Sequence, residues 1–125
     1  MLDPNLDILL VEDDPVTRRM VSGLLQRLGI QKIREAEDGW SALEAIGKQK
    51  PHVVITDWSM PKMNGLQLLQ IIRKHETLKT LPVLMITSRA EREYVLSAAQ
   101  EGVNSYIVKP FDAKTLEAKL VKILS

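Results

Sequence analysis

The stretch Ile-Leu-Leu-Val-Glu-Asp-Asp-Pro (8–15) holds a strand-length apolar run, three consecutive acids and a helix start. An unbroken run such as Ile8 to Val11 suits a strand covered on both faces. Asp14 followed by Pro15 reads as a helix N-terminus. The aspartate can cap, and a proline at the first helical position gives up no needed N–H. Beyond it Val16, Met20, Val21, Leu24, Leu25 and Leu28 recur at three and four residues, and Gly29 closes the helix.

Working outward, the same strand-then-helix unit recurs. A short, more polar strand over about 32–36 belongs at a sheet edge, and Asp38 caps a helix with Ala42, Leu43 and Ile46 inward. The third strand, about 52–56, carries the branched run Val53-Val54-Ile55. The loop Met60-Pro61-Lys62-Met63-Asn64-Gly65 leads into a helix carrying Leu66, Leu69 and Ile72. A fourth strand spans about 81–86, with Pro82 near its start, where a missing N–H is tolerated. An alanine-rich helix over about 90–101 follows, then a strand over 106–108. Asp112 caps a last helix with Leu116, Leu120, Ile123 and Leu124 on one face. Five such units predict a doubly wound α/β sheet with helices on both faces. Residues 1–125 read as one domain without linker or repeat, and the last helix runs to the chain end, so no output domain is expected.

The bulk composition narrows the function. A chain of 125 residues, 26% charged and 45% hydrophobic, can bury one real core. A net charge of +1 gives no general reason to bind nucleic acid or a membrane surface. Without cysteine, thiolate metal sites, disulfides and cysteine nucleophiles are excluded. The start Met-Leu-Asp-Pro-Asn lacks a signal peptide's basic and apolar regions, and no apolar run reaches transmembrane length, so a cytoplasmic location is expected.

Polar residues follow four of the strands: Glu12-Asp13, Asp57, Thr87 and Lys109. In an open parallel sheet the carboxyl ends of the strands share one edge, where ligands bind. A lone aspartate at a strand end is more often a turn cap than a site. Three acids together are different, because like charges resist joint ionisation unless a cation is present. Mg²⁺ fits: it takes oxygen ligands and needs only one or two carboxylates plus phosphate. Asp14 is better used as the cap, which leaves Asp13 as the direct ligand and Glu12 acting directly or through water. Lys109 can serve as counter-ion and phosphate binder, and the Thr87 hydroxyl can donate to a phosphoryl oxygen.

With these residues in view, the chain resembles the receiver domain of two-component response regulators over essentially its whole length. The matching blocks are residues 8–15, Glu-Asp-Gly (37–39), Thr-Asp-Trp-Ser-Met-Pro-Lys-Met-Asn-Gly (56–65), Leu-Pro-Val-Leu-Met-Ile-Thr (81–87) and Tyr-Ile-Val-Lys-Pro-Phe (106–111). Within that family it looks most like the stand-alone chemotaxis type. The resemblance implies a flavodoxin-like (βα)5 sandwich with strand order 2-1-3-4-5. It also implies Asp57 as the phosphoacceptor, supplied by a histidine kinase in a Mg²⁺-dependent reaction. The metal would be held by Asp13, Asp57 and the backbone carbonyl of Ser59, with Glu12 nearby. Thr87 and Lys109 would contact the phosphoryl group, and the Lys109-Pro110 bond would be cis. Tyr106 would turn inward with Thr87 and reshape the face built by the fourth helix, fifth strand and fifth helix. A target protein would dock there, the flagellar motor switch being the resemblance-based expectation. Ser59 and Arg89 flank the site where the family tunes dephosphorylation.

The resulting expectation is a switch rather than an enzyme. The alternatives are a phosphorelay intermediate, a regulator of a separate enzyme, and a Mg²⁺-dependent phosphatase or phosphotransferase acting on external substrates. The last would need an added general acid and a substrate cap, and the sequence offers neither.

Overall fold

A computed structural model describes residues 2–88 and 102–125. Its elements in chain order are β1 (Asp7–Val11), α1 (Pro15–Arg27), β2 (Lys32–Ala36), α2 (Gly39–Lys48), β3 (Val53–Asp57), α3 (Gly65–Lys74), β4 (Val83–Thr87), β5 (Ser105–Val108) and a C-terminal helix (Ala113–Leu124). The helix expected over 90–101 lies outside the described residues. All strand pairs are parallel and the sheet order is β2-β1-β3-β4-β5, the flavodoxin-like arrangement. The polar strand β2 is indeed an edge.

Alternation along the strands divides the core between two faces. Leu9, Val11, Val54, Val83 and Met85 meet Ala42 and Ile46 of α2 and Leu68, Leu69 and Ile72 of α3. On the other face Ile8, Leu10, Val53, Ile55, Leu84 and Ile86 meet Val21 and Leu25 of α1 and Leu116 and Leu120 of the C-terminal helix. Strands covered on both sides are the reason these runs are apolar without interruption.

Local chemistry sets the ends of the elements. Asp14, Asp38, Asn64 and Asp112 each accept a backbone N–H from the residue three positions on, and Ser41 and Gln67 answer with their side chains to close two capping boxes. Gly29 takes φ 90°, the left-handed conformation that ends α1. The Lys109-Pro110 bond is cis.

Some expectations shift. Val16 and Met20 are 71% and 45% exposed rather than inward. They lie about 100–140° round the helix from Val21, outside the stripe that reaches the sheet. β3 runs one residue further than expected, so Asp57 is its last residue, and β4 likewise ends on Thr87. At the opposite end of the sheet buried Asp7 pairs with Arg34 at 3.1 Å and Lys32 at 3.5 Å, and its N–H donates to His52 Nδ1 at 2.8 Å. His52 is thus a structural acceptor.

Candidate functional site

The strand order changes direction at β1, which has β2 on one side and β3 on the other. That switch point is where an open α/β sheet leaves a crevice at its carboxyl edge. Val11 is in register with Thr56, so the next residues, Glu12 and Asp57, emerge side by side. Asp13 follows on the turn into α1. Carboxylate oxygens of Glu12, Asp13 and Asp57 all lie within 4.8 Å of one another, with Glu12 and Asp57 buried and Asp13 exposed.

Lys109 enters from the far side of β4. Its backbone N–H donates to the Thr87 carbonyl at 2.8 Å, which fixes where the side chain starts. Its ammonium then lies 3.5 Å from both Glu12 Oε1 and Asp57 Oδ2. That is ion-pair reach, longer than a tight N–H···O bond of about 2.7–3.2 Å.

The loop after β3 is held by close backbone packing. Trp58 N–H donates to the Ile86 carbonyl at 2.9 Å, and Gly65 N–H donates to the Trp58 carbonyl at 2.9 Å. Gly65 has no room for a side chain: a Cβ would collide with the Asp57 carbonyl oxygen and sit 2.9 Å from Met85 Sδ. Gly39 leaves the matching space for the Met63 side chain, so the Glu-Asp-Gly turn before α2 braces the far end of this loop.

The electrostatics are those of an incomplete ion site. Burial, then a hydrogen bond with Asp57 and repulsion from its charge, push the Glu12 carboxyl up to about 8, with Lys109 pulling the other way. Burial by itself would weaken the Lys109 ammonium, but the Asp57 and Glu12 charges outweigh it and raise its pKa. Asp57 Oδ1 is buried without a hydrogen-bond partner. A buried carboxylate oxygen with no donor is costly and asks for a ligand. An all-oxygen donor set around it suits a hard cation such as Mg²⁺ rather than a softer metal. The residues present therefore fit that ion.

The structure brings together Glu12, Asp13, Asp57 and Lys109. Thr87 closes β4, fully buried, its hydroxyl donating to the Ser88 carbonyl at 3.1 Å. Ser59 is exposed, two residues beyond Asp57. Tyr106 is half-buried on β5, in register with Met85, so by alternation it shares a sheet face with Thr87. Lys119 Nζ sits 5.6 Å from the centre of its ring. Asp14 is the α1 cap, its side chain taking both Thr17 donors. Arg89 lies outside the described residues. Sequence reasoning missed Arg18, which donates from Nη1 to the Glu12 carbonyl at 2.7 Å and from Nε to Glu35 Oε1 at 3.0 Å. It also missed the close approach at Gly65, although an isolated glycine after a strand-end loop was a usable signal.

Comparisons with known proteins agree with this fold. The response regulator receiver domain model matches residues 8–121. Chemotaxis protein CheY-3 of Vibrio cholerae is 52% identical over 123 residues, covering 98% of this chain and 95% of that protein. The structure of chemotaxis response regulator CheY4 of Vibrio cholerae superposes with a TM-score of 0.87 at 32% identity, covering 96% of this chain and 99% of that one. The receiver domain of sensor histidine kinase PA1611 from Pseudomonas aeruginosa, solved with magnesium in its active-site cleft, superposes with a TM-score of 0.86 at 28% identity, covering 96% and 98%. Among the described residues no helix is long and apolar enough to cross a membrane.

Proposed function

The chain belongs to the response regulator receiver domain family, and we propose that it works as a phosphorylation-activated switch with Asp57 as the acceptor. The observation that carries this reading is Asp57 Oδ1, buried and unpartnered among the carboxylates of Glu12 and Asp13 and the Lys109 ammonium. A carboxylate so placed is a nucleophile waiting for an electrophile.

In the proposed reaction an Asp57 oxygen attacks the phosphorus of a phosphohistidine on a kinase. The O–P bond forms as the P–N bond breaks, and the imidazole leaves, taking a proton from solvent. Asp13, Asp57 and the Ser59 carbonyl would hold Mg²⁺, with Glu12 beside them, and the ion supplies charge neutralisation at the phosphoryl oxygens. The magnesium reported in the PA1611 receiver domain supports this choice of ion. Lys109 exchanges part of its pairing with Glu12 and Asp57 for a phosphoryl oxygen. The Thr87 hydroxyl turns from the Ser88 carbonyl to another. Tyr106 follows into the space on the shared face, and β5 and the C-terminal helix contribute to the surface a target protein reads. Phosphorylation then biases an existing two-state equilibrium. The relatives named as chemotaxis proteins support a chemotaxis role; with that role we take the flagellar motor switch as the target, and Ser59 and Arg89 as residues that set the phosphate lifetime.

The test is Mg²⁺-dependent labelling by a small acyl-phosphate donor, read by intact mass. Wild type should gain one phosphoryl group with Mg²⁺ and none with EDTA, and Asp57→Asn should gain none. Undiminished labelling of Asp57→Asn would sink the assignment. For the output, a motor-switch peptide should be retained by wild type held active with a phosphoryl mimic and Mg²⁺. Equal retention by Asp57→Asn would sink the phosphorylation-dependent switch for that partner.

A further inference from the structure

Arg18 stands one turn into α1 and reaches back over the end of β1. Its guanidinium makes two polar contacts among the described residues, the Glu12 carbonyl at 2.7 Å and Glu35 Oε1 at 3.0 Å. The side chain is 23% exposed, and Glu35 lies on the edge strand β2. Glu12 is held at its other end as well, its N–H donating to the Ala36 carbonyl at 2.9 Å. Glu12 is therefore tied to β2 through both of its backbone polar groups, its N–H directly and its carbonyl through Arg18 and Glu35. A guanidinium bonded to the turn that carries Glu12 and Asp13 would ordinarily compete for their carboxylates. Here its Nε is occupied by Glu35 and its Nη1 by a backbone oxygen.

We propose that Arg18 is a positioning residue for the cation site. It fixes the turn that presents Glu12 and Asp13, while Glu35 keeps its charge off those carboxylates. The inference rests on the Mg²⁺ reading given above. It adds a residue pair that touches neither metal nor phosphate and acts through the backbone of a ligand-bearing turn. Outer partners of this kind commonly change metal affinity by about 10–100-fold when removed.

The sign of the effect separates positioning from charge. Removing a cation beside a cation site should tighten Mg²⁺ binding if only Coulomb forces matter. Losing a positioning tie should weaken it. Likewise, Glu35→Gln removes an anion and releases Arg18 to compete for the carboxylates, so it should also weaken binding. Because Glu35 works through Arg18, the double variant should be no weaker than Arg18→Ala alone.

The experiment is Mg²⁺ titration of Trp58 fluorescence on the full chain, with thermal melts in EDTA to confirm folding. The expected result is a Kd about 10-fold or more higher for Arg18→Ala, a rise for Glu35→Gln, and no added rise in the double variant. Phosphorylation at saturating Mg²⁺ should stay close to wild type in all three. If Arg18→Ala does not fold, Arg18→Lys takes its place, since one ammonium cannot bridge both partners. Unchanged or tighter Mg²⁺ binding, or penalties that simply add in the double variant, would overturn the proposal. Failure of the metal reading looks different: wild type and Asp13→Ala would then respond alike to Mg²⁺.

Discussion

Gly65→Ala adds one methyl group and should damage both the fold and the site. The new Cβ would press into the Asp57 carbonyl oxygen, 2.9 Å from Met85 Sδ and 3.1 Å from Trp58 Cα. Two of these three obstacles are backbone, so relief requires the end of β3 or the start of α3 to retreat by roughly 0.5 Å. Overpacking of this kind costs about 1–3 kcal/mol, and the retreat strains the Gly65 N–H bond to the Trp58 carbonyl, worth about 1 kcal/mol. Alanine returns at most about 1 kcal/mol in helix propensity, less in a first turn. The balance is about 2 kcal/mol of destabilisation, or about 8 °C in Tm for a chain of this length. Because the atom displaced is the Asp57 carbonyl, Mg²⁺-dependent phosphorylation should also slow by about 10–100-fold. The internal control is Gly23→Ala in α1, where a Cβ meets nothing within 4 Å. There the same chemical change should stabilise by about 0.5–1 kcal/mol. Thermal melts of the two variants decide the matter. Shifts of the same sign, or a Gly65→Ala protein that melts and phosphorylates like wild type, would refute the close-approach argument.

The buried Glu12 carboxyl should make stability in EDTA depend on pH. Its folded-state pKa is raised from 4.5 to about 8, so the folded chain binds that proton more tightly than the unfolded chain. The stabilisation is present below the unfolded value and is lost as pH rises through the folded one. Wild-type Tm should therefore fall across that window more steeply than that of Glu12→Gln, and parallel melting curves against pH would refute the assignment. Lys109→Ala should tighten Mg²⁺ binding, because it removes a cation 3.5 Å from both Glu12 and Asp57. The same variant should phosphorylate about 10²-fold more slowly, having lost a donor to the phosphoryl group. Trp58 titration and the labelling assay measure the two effects, and weaker Mg²⁺ binding would contradict this account.

Legibility in the sequence followed the range of each interaction. Helix starts at Asp14, Asp38 and Asp112 were readable because a cap and its recipient are three residues apart. The sheet was readable because each buried strand carries its own apolar run, and a single edge strand betrays itself by its charges. The convergence of Glu12, Asp57 and Lys109 followed from topology, since parallel strands must deliver their carboxyl ends to one edge. What escaped were contacts whose partners are set only after the layers close. Arg18 reads as a solvated helix arginine until β2 brings Glu35 beside it. Val16 and Met20 match a helical spacing but lie round α1 from the stripe that reaches the sheet. Asp7 looks like a strand's polar first residue, yet it is buried and pairs with the partly exposed Arg34.

On the proposed reading, the charge balance of the site requires a cation before phosphate. With all three carboxylates ionised against one ammonium, the crevice would carry a formal surplus of two negative charges in a place where Glu12 is wholly buried. The fold answers by holding a proton on Glu12, whose carboxyl titrates near 8. That still leaves a negative pocket around Asp57, which repels a phosphoryl dianion and leaves Oδ1 without a donor. A divalent cation held by these carboxylates would cancel the surplus, replace the Glu12 proton and give the orphaned oxygen a partner. Only then would the Lys109 ammonium and the Thr87 hydroxyl face a pocket in which added negative charge is stabilised rather than opposed. On the proposed reading, the same carboxylates that oppose phosphate at the bare site would create its affinity once a cation is bound, and a tie such as Arg18 on the turn bearing Glu12 and Asp13 would then serve both steps.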